Sequence, residues 1–359
     1  MSQNFIKNRF DYVFLFSVFA PFITFGLFQS DTSPFYLFLL FIRMFLLSNE
    51  NRNGLYIAII ISILLISINS ITDFDIRIIK FSATIIIAET LYRLGKEFSN
   101  NVSLKIIKIA SIFWLLSGVL TIISPNIFSF LFFRVGTTIG RGATGFTPEP
   151  SAYGISSAFL YAITLLLRKN IESEQNKTIL RGTSFLFFFS CIISGSMHAI
   201  IIISLLALNY QKKIGLILLT LVPIIFVLIS LQNDIRFFYL INKAIDTGGK
   251  SLFQDASIAY RLTSFEPILN LFNNDSDSSK GSSGFGISIL FINQGIFAII
   301  WLVILGLLKS WRSYYSLIFK NASFFLIAVA FMFIGPLSNP FFWLFIGVNT
   351  NLSKLSHKL

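Results

Sequence analysis

The chain has 359 residues, 55% hydrophobic and only 12% charged, with 28 Lys and Arg against 16 Asp and Glu for a formal charge of +12. Its mean hydropathy is +0.77, more apolar surface than a water-soluble fold can cover with polar side chains. The basic residues are scattered through short loops instead of gathered on one face, which argues against nucleic acid as a partner.

Apolar runs recur along the sequence, the longer of them roughly 18–22 residues and so close to the ~20 that a helix needs to cross the hydrocarbon core; the short ones, notably 198–209 and the pair flanking "PLSNP" at 336–340, suit re-entrant or tilted segments. They predict an all-α polytopic integral membrane protein of about 12 transmembrane helices, forming a single transmembrane domain over residues 1–359. Spans are expected near 11–28, 33–48, 54–70, 76–92, 106–123, 149–167, 182–196, 198–209, 214–231, 285–308, 322–335 and 340–350. The first follows Lys7 and Arg9 and reads as a membrane span, not a cleaved signal, because so many similar runs follow. Span 54–70 is rich in isoleucine and serves as scaffold. The single cysteine, Cys191, lies inside span 182–196 and fills space there.

With the amino terminus in the cytoplasm, alternate loops hold Arg52, then Arg93, Lys96, Lys105 and Lys108, then Arg168, Lys169, Lys177 and Arg181, and so on to Lys354 and Lys358. That distribution obeys the positive-inside rule. The exceptions on the opposite side fall mostly in two large outer loops, residues 124–148 and 232–284. Loops of that length usually serve function. In the second, Ile235, Phe238, Ile241 and Ile245, and then Ile258, Leu262, Phe265, Leu269 and Phe272, recur at helical spacing and predict short interfacial helices.

The first loop concentrates chemistry. Its glycines at 136, 140, 142 and 145 permit backbone shapes and close approaches that side chains block. Arg134 and Arg141 offer planar forks of donors suited to phosphate oxygens, or alternatively a grip on lipid headgroups. Glu149 lies between Pro148 and Pro150 with Ser151 beside it, either as a general base or simply as the acid that starts a helix. His198 follows "SGSM" at the outer end of a hairpin, in a packing or a proton-transfer role. Arg77 and Lys80, at an outer helix end, snorkel or alternatively line the outer cavity with the loop arginines, and Glu89 and Arg93, four apart, suit a local ion pair. "NDSD" at 274–277 lacks the ligands of a metal loop, and no nucleotide loop, paired-cysteine site or HExxH motif is present, so neither metal nor cofactor is expected.

"RGATGFTPEPSAYG" from 141, "ISGSMHAIIIISLLALN" from 193, "YRLTSFEPILNLF" from 260 and the later "GFG" and "NQG" stand in an order that resembles the bacterial O-antigen polymerase (Wzy) family, within the O-antigen ligase and polymerase superfamily. The resemblance implies a glycosyltransferase at the periplasmic face of the bacterial inner membrane, which makes the two large outer loops periplasmic. Its donor is an oligosaccharide on undecaprenyl diphosphate, and its partners are membrane lipids and a chain-length regulator protein. Arg134 and Gly145, separated by ten residues, match the arginine and glycine of the family's first loop. Arg141 and Glu149 match the arginine before, and the acid within, its Glu-Pro-Ser stretch, and Arg261 matches the arginine of its second loop. The resemblance thus implies Arg141, Glu149 and Arg261 as catalytic residues. After "SGS" the superfamily often has an arginine where this chain has Met197 and His198, so His198 joins them on its own chemistry, as the second choice of base after Glu149. The candidate substrate-binding residues are Arg134, Arg236, Gly145, Ser151, Tyr153, Tyr260 and Glu266. Ligases of the superfamily keep a histidine near the start of the tenth span, and this chain has none there, which favours polymerase over the alternatives of ligase or lipid-linked oligosaccharide flippase.

Overall fold

A computed structural model describes residues 21–23, 52–72, 76–101, 103–131, 142–211, 290, 295–320 and 339–356. Among the described residues the regular structure is entirely helical, with no strand. The helices are α1 (Arg52–Thr72), α2 (Ile76–Asn101), α3 (Leu104–Ile123), α4 (Pro150–Lys169), α5 (Glu174–Ile193), α6 (Met197–Tyr210), α7 (Ala298–Leu305), α8 (Lys309–Lys320) and α9 (Pro340–Ser356). The expected spans 33–48, 214–231 and 322–335, all of 11–28 except the turn at 21–23, the second long loop and its interfacial helices lie outside the described residues.

The helices extend beyond the apolar runs that reveal them. α2 continues past residue 92 to Asn101, and α5 begins at Glu174, before the apolar run that starts at 182. Hydropathy marks only the stretch suited to hydrocarbon, whereas a helix continues through polar residues for as long as its backbone hydrogen bonds do. One helix stands where only a loop was expected. α8 buries Trp311, Tyr314 and Ile318, spaced by three and four residues, while Lys309 and Arg312 are exposed. Its charges hid it from a hydropathy reading, although its stripe has helical period.

Among the described residues two helices, α3 and α4, are long and apolar enough to cross a membrane, each of 20 residues with mean hydropathies of 2.2 and 1.4 over their most apolar stretch. α3 is apolar on its outer side: Ile112, Phe113, Leu116, Leu120 and Ile122 are exposed, while Ala110, Ser111, Trp114, Ser117, Gly118 and Thr121 are buried. A water-soluble helix does the reverse; small and polar residues inside with large aliphatics outside suit a helix whose neighbours are protein on one side and lipid on the other.

Close contacts divide the chain into two compact units, one formed by residues 1–46, 90–223 and 339–359, the other by 47–89 and 224–338. In the first, α4 packs against α5, α6 and α9. Paired residues fix the helix directions. Trp114 of α3 donates its Nε1 to Ser157 of α4 at 2.8 Å and Thr164 of α4 meets Ser184 of α5 at 2.9 Å, whereas Asn339 donates to Ser156 at 3.1 Å and Tyr210 to Asn349 at 3.1 Å. α3 and α5 therefore run antiparallel to α4, and α6 and α9 run parallel to it. The residues of α2 within this unit lie along α9, where Gly95 and Gly347 let two backbones touch. Cys191 is a free thiol with no exposed surface, as expected of a space-filling residue.

In the second unit Ser62 of α1 donates to the Ala58 carbonyl at 2.8 Å and to the Ser82 carbonyl of α2 at 3.1 Å. Glu89, completely buried, accepts the N–H of Ser310 at the start of α8 at 3.1 Å. This tertiary contact holds an acid for which spacing had suggested only Arg93, one turn away and itself buried.

Candidate functional site

The first unit has two chemically different ends. Lys105, Lys108, Arg168, Lys169, Lys177 and Arg181 all stand at one end of α3, α4 and α5. At the other end, among the described residues, there is no lysine or arginine; the ionisable groups are Glu149 and His198. Glu149, Gly145, Ser151, Tyr153 and the backbone of His198 all lie at this second end, whereas Arg134, Arg141, Arg236, Tyr260, Arg261 and Glu266 lie outside the described residues.

Residues 142–149 form a loop clamped at several points. Gly142 has φ +99° and Gly145 φ +51°, left-handed values that side chains resist. A β-carbon on Gly142 would collide with the Ser194 carbonyl, and one on Gly145 with the ring of Tyr153. The close approach that Gly145 permits is thus that of Tyr153. Ala143 donates its N–H to Ile193 at 2.9 Å. The hydroxyl of Thr121, near the end of α3, accepts the N–H groups of both Thr144 and Gly145, each at 3.1 Å. Thr147 donates to the carbonyls of Thr144 and Glu149, each at 2.8 Å, and Phe146 rests on Phe128 with centroids 4.8 Å apart.

Beneath the loop, Tyr153 is fully buried; its hydroxyl donates to the Trp114 carbonyl at 2.7 Å, and its ring stacks on Trp114 at 5.2 Å. It holds up the loop from inside, so the place implied for it in contact with substrate gives way to a supporting one. Trp114 and Thr121 had drawn no notice in the sequence, and Ser194 had been marked only as part of the "SGSM" stretch before His198. Their only signal was a polar or bulky residue within an apolar run, and many such positions do nothing.

Glu149 is the N-cap residue of α4, with extended backbone (φ −142°, ψ 147°) and Pro150 directly after it. Pro at the first helical position suits a helix start, since its missing N–H has no intrahelical partner there. The carboxylate makes no capping bond to the helix; it accepts the Ser151 hydroxyl at 3.3 Å and is half-buried. The role of a simple helix starter therefore falls to Pro150 and the backbone. On the neighbouring hairpin, Gly195 has φ +62° and Ser196 caps α6 by accepting Ala199 N–H at 3.4 Å, which puts His198 in that helix's first turn. Gly154 of α4 lies against Ser194 and Ala199, so the two helix starts are neighbours. Both direct positive dipole ends toward the same side.

Comparison with family models, with curated proteins and with solved structures finds no match for the chain.

Thr121→Val tests the clamp. It keeps the shape but leaves two buried N–H groups without their acceptor, a cost of about 1–3 kcal/mol per unsatisfied group. Hydrogen exchange at Thr144 and Gly145 should accelerate while α4 stays protected; unchanged exchange would show that Thr121 does not hold the loop.

Proposed function

We propose that the chain is a polymerase of lipid-linked oligosaccharide repeat units, a glycosyltransferase acting at the periplasmic face of a bacterial inner membrane in the synthesis of O-antigen or a related surface polysaccharide. The observation that carries the reading is Glu149: a half-buried carboxylate unused in capping, on a clamped loop, at the end of the bundle that lacks lysine and arginine among the described residues. The order of the four sequence motifs and the positive-inside pattern support it further.

In this reading a hydroxyl of the acceptor repeat attacks the anomeric carbon of the donor chain. The bond from that carbon to the diphosphate oxygen breaks, undecaprenyl diphosphate departs with the electron pair, and Glu149 takes the hydroxyl proton. His198 is the second choice as base. Diphosphate is a good leaving group and needs no strong acid, but its growing charge must be met; Arg134, Arg141, Arg236 and Arg261 supply that. Holding donor and acceptor together contributes roughly 7–11 kcal/mol, more than proton transfer does, so the clamped loop matters as much as the acid it carries.

Glu149→Gln removes the base and keeps the shape. Elongation in vitro should slow by about 10²–10⁴ with donor binding retained; an unchanged rate would reduce Glu149 to a structural residue. The class itself is tested by the glycolipids of a strain lacking the protein. Core bearing a single repeat is expected, whereas polymer stranded on undecaprenyl diphosphate would identify a ligase and repeats held on the cytoplasmic leaflet a flippase.

A further inference from the structure

At the end of the first unit opposite Glu149, a cavity of about 270 Å³ is lined by Leu165, Arg168 and Lys169 of α4 and by Asn209 and Tyr210 of α6. Among the described residues neither Arg168 nor Lys169 forms an ion pair. The neighbouring acid Glu174 is taken by Lys177 at 2.7 Å, a contact that holds its carboxyl below the ordinary range.

Nor are these cations needed to finish the helix. Asn170 caps α4 twice, its backbone N–H on Leu167 at 3.1 Å and its side-chain amide on Leu166 at 2.8 Å. Gln211 N–H closes α6 on Ala207 at 2.6 Å. Each helix end contributes roughly half a negative charge. Against two such ends, Arg168 and Lys169 leave a balance of roughly one positive charge, which matches a phosphodiester. The guanidinium fork suits phosphate oxygens, while Tyr210 is held in place by its bond to Asn349.

We propose that this cavity binds a phosphate group, and that its source is the headgroup of an anionic phospholipid. The lining supports the lipid source: Leu165 lies one turn deeper in a helix long and apolar enough to cross a membrane, giving the site an apolar wall beneath its cationic rim. Basic pockets between membrane helices recognise headgroups in this way. The site is independent of the polymerase reading, and its test does not use chain growth.

The experiment follows thermal unfolding of the full-length protein purified in phosphatidylcholine, with phosphatidylglycerol, further phosphatidylcholine or inorganic phosphate added at equal ionic strength. Phosphatidylglycerol should raise the midpoint of the wild-type chain and of Lys177→Gln, which removes a charge from the same end outside the cavity. The Arg168→Gln/Lys169→Gln double variant should lose most of that gain. If the double variant does not fold in phosphatidylcholine alone, Lys169→Gln, at an exposed position, carries the comparison. A gain from inorganic phosphate that the double variant loses supports the site and assigns it to the free anion. Equal gains in all chains, or none in the wild type, overturn it.

Discussion

Arg141→Ala should abolish chain growth while the protein remains in the membrane at its normal level. In the proposed reaction the departing diphosphate would gain charge as the glycosidic bond breaks, and each preorganised donor aimed at such charge is worth about 10²–10³ in rate. In the sequence Arg141 immediately precedes Gly142, where a β-carbon would collide with the Ser194 carbonyl, and Ala143, whose N–H is hydrogen-bonded to Ile193. Arg141→Lys should rescue poorly, because an ammonium lacks the planar fork that meets two oxygens at once. Arg261→Ala should behave like Arg141→Ala. The readout is the ladder of polymer lengths set beside protein abundance. Normal polymer from a well-expressed Arg141→Ala protein would refute the proposed role of Arg141 in meeting the charge on the diphosphate.

The largest effect on stability is expected where α2 meets α9. A β-carbon on Gly347 would strike the carbonyl oxygen of Tyr92, and one on Gly95 the carbonyl oxygen of Leu344. Both obstacles are backbone, so no side-chain rotation relieves them and the helices must separate. Overpacking of this kind costs about 1–3 kcal/mol and occasionally more. Gly347→Ala and Gly95→Ala should each lower the unfolding midpoint of the purified protein clearly. Gly182→Ala supplies the contrast, since a β-carbon there meets nothing within 4 Å. It should be neutral or stabilising by up to about 1 kcal/mol, the helix preference of alanine over glycine. Equal behaviour of the three variants would mean that the α2 and α9 contact carries no strain.

Much of the helical framework was legible. α1, α3, α4, α6 and α9 fall within a few residues of apolar runs, and α4 begins at the Pro150 that proline chemistry marks as a start. α8 was missed because charge interrupts its hydropathy. The ends of α2 and α5 were missed because their polar and charged residues, such as Arg93, Lys96 and Glu97 or Glu174, Gln175 and Lys177, carry no apolar signal. At the site, Gly145 and Glu149 could be picked out, one as a residue suited to an unusual backbone and the other as an acid in a polar break. That Tyr153 serves under the loop instead of on its surface could not be seen, since tyrosine suits both roles.

Local chemistry alone determined where helices form, which ends carry the basic residues, and which short stretch concentrates glycine, proline and charge, because each depends on neighbours along the chain. Folding decided the rest. Thr121 reaches loop amides more than twenty residues away, Glu89 is met by the amide of Ser310, and Gly95 finds Gly347. Those pairings depend on how helix faces come together, and a residue's type does not encode which distant partner it will touch.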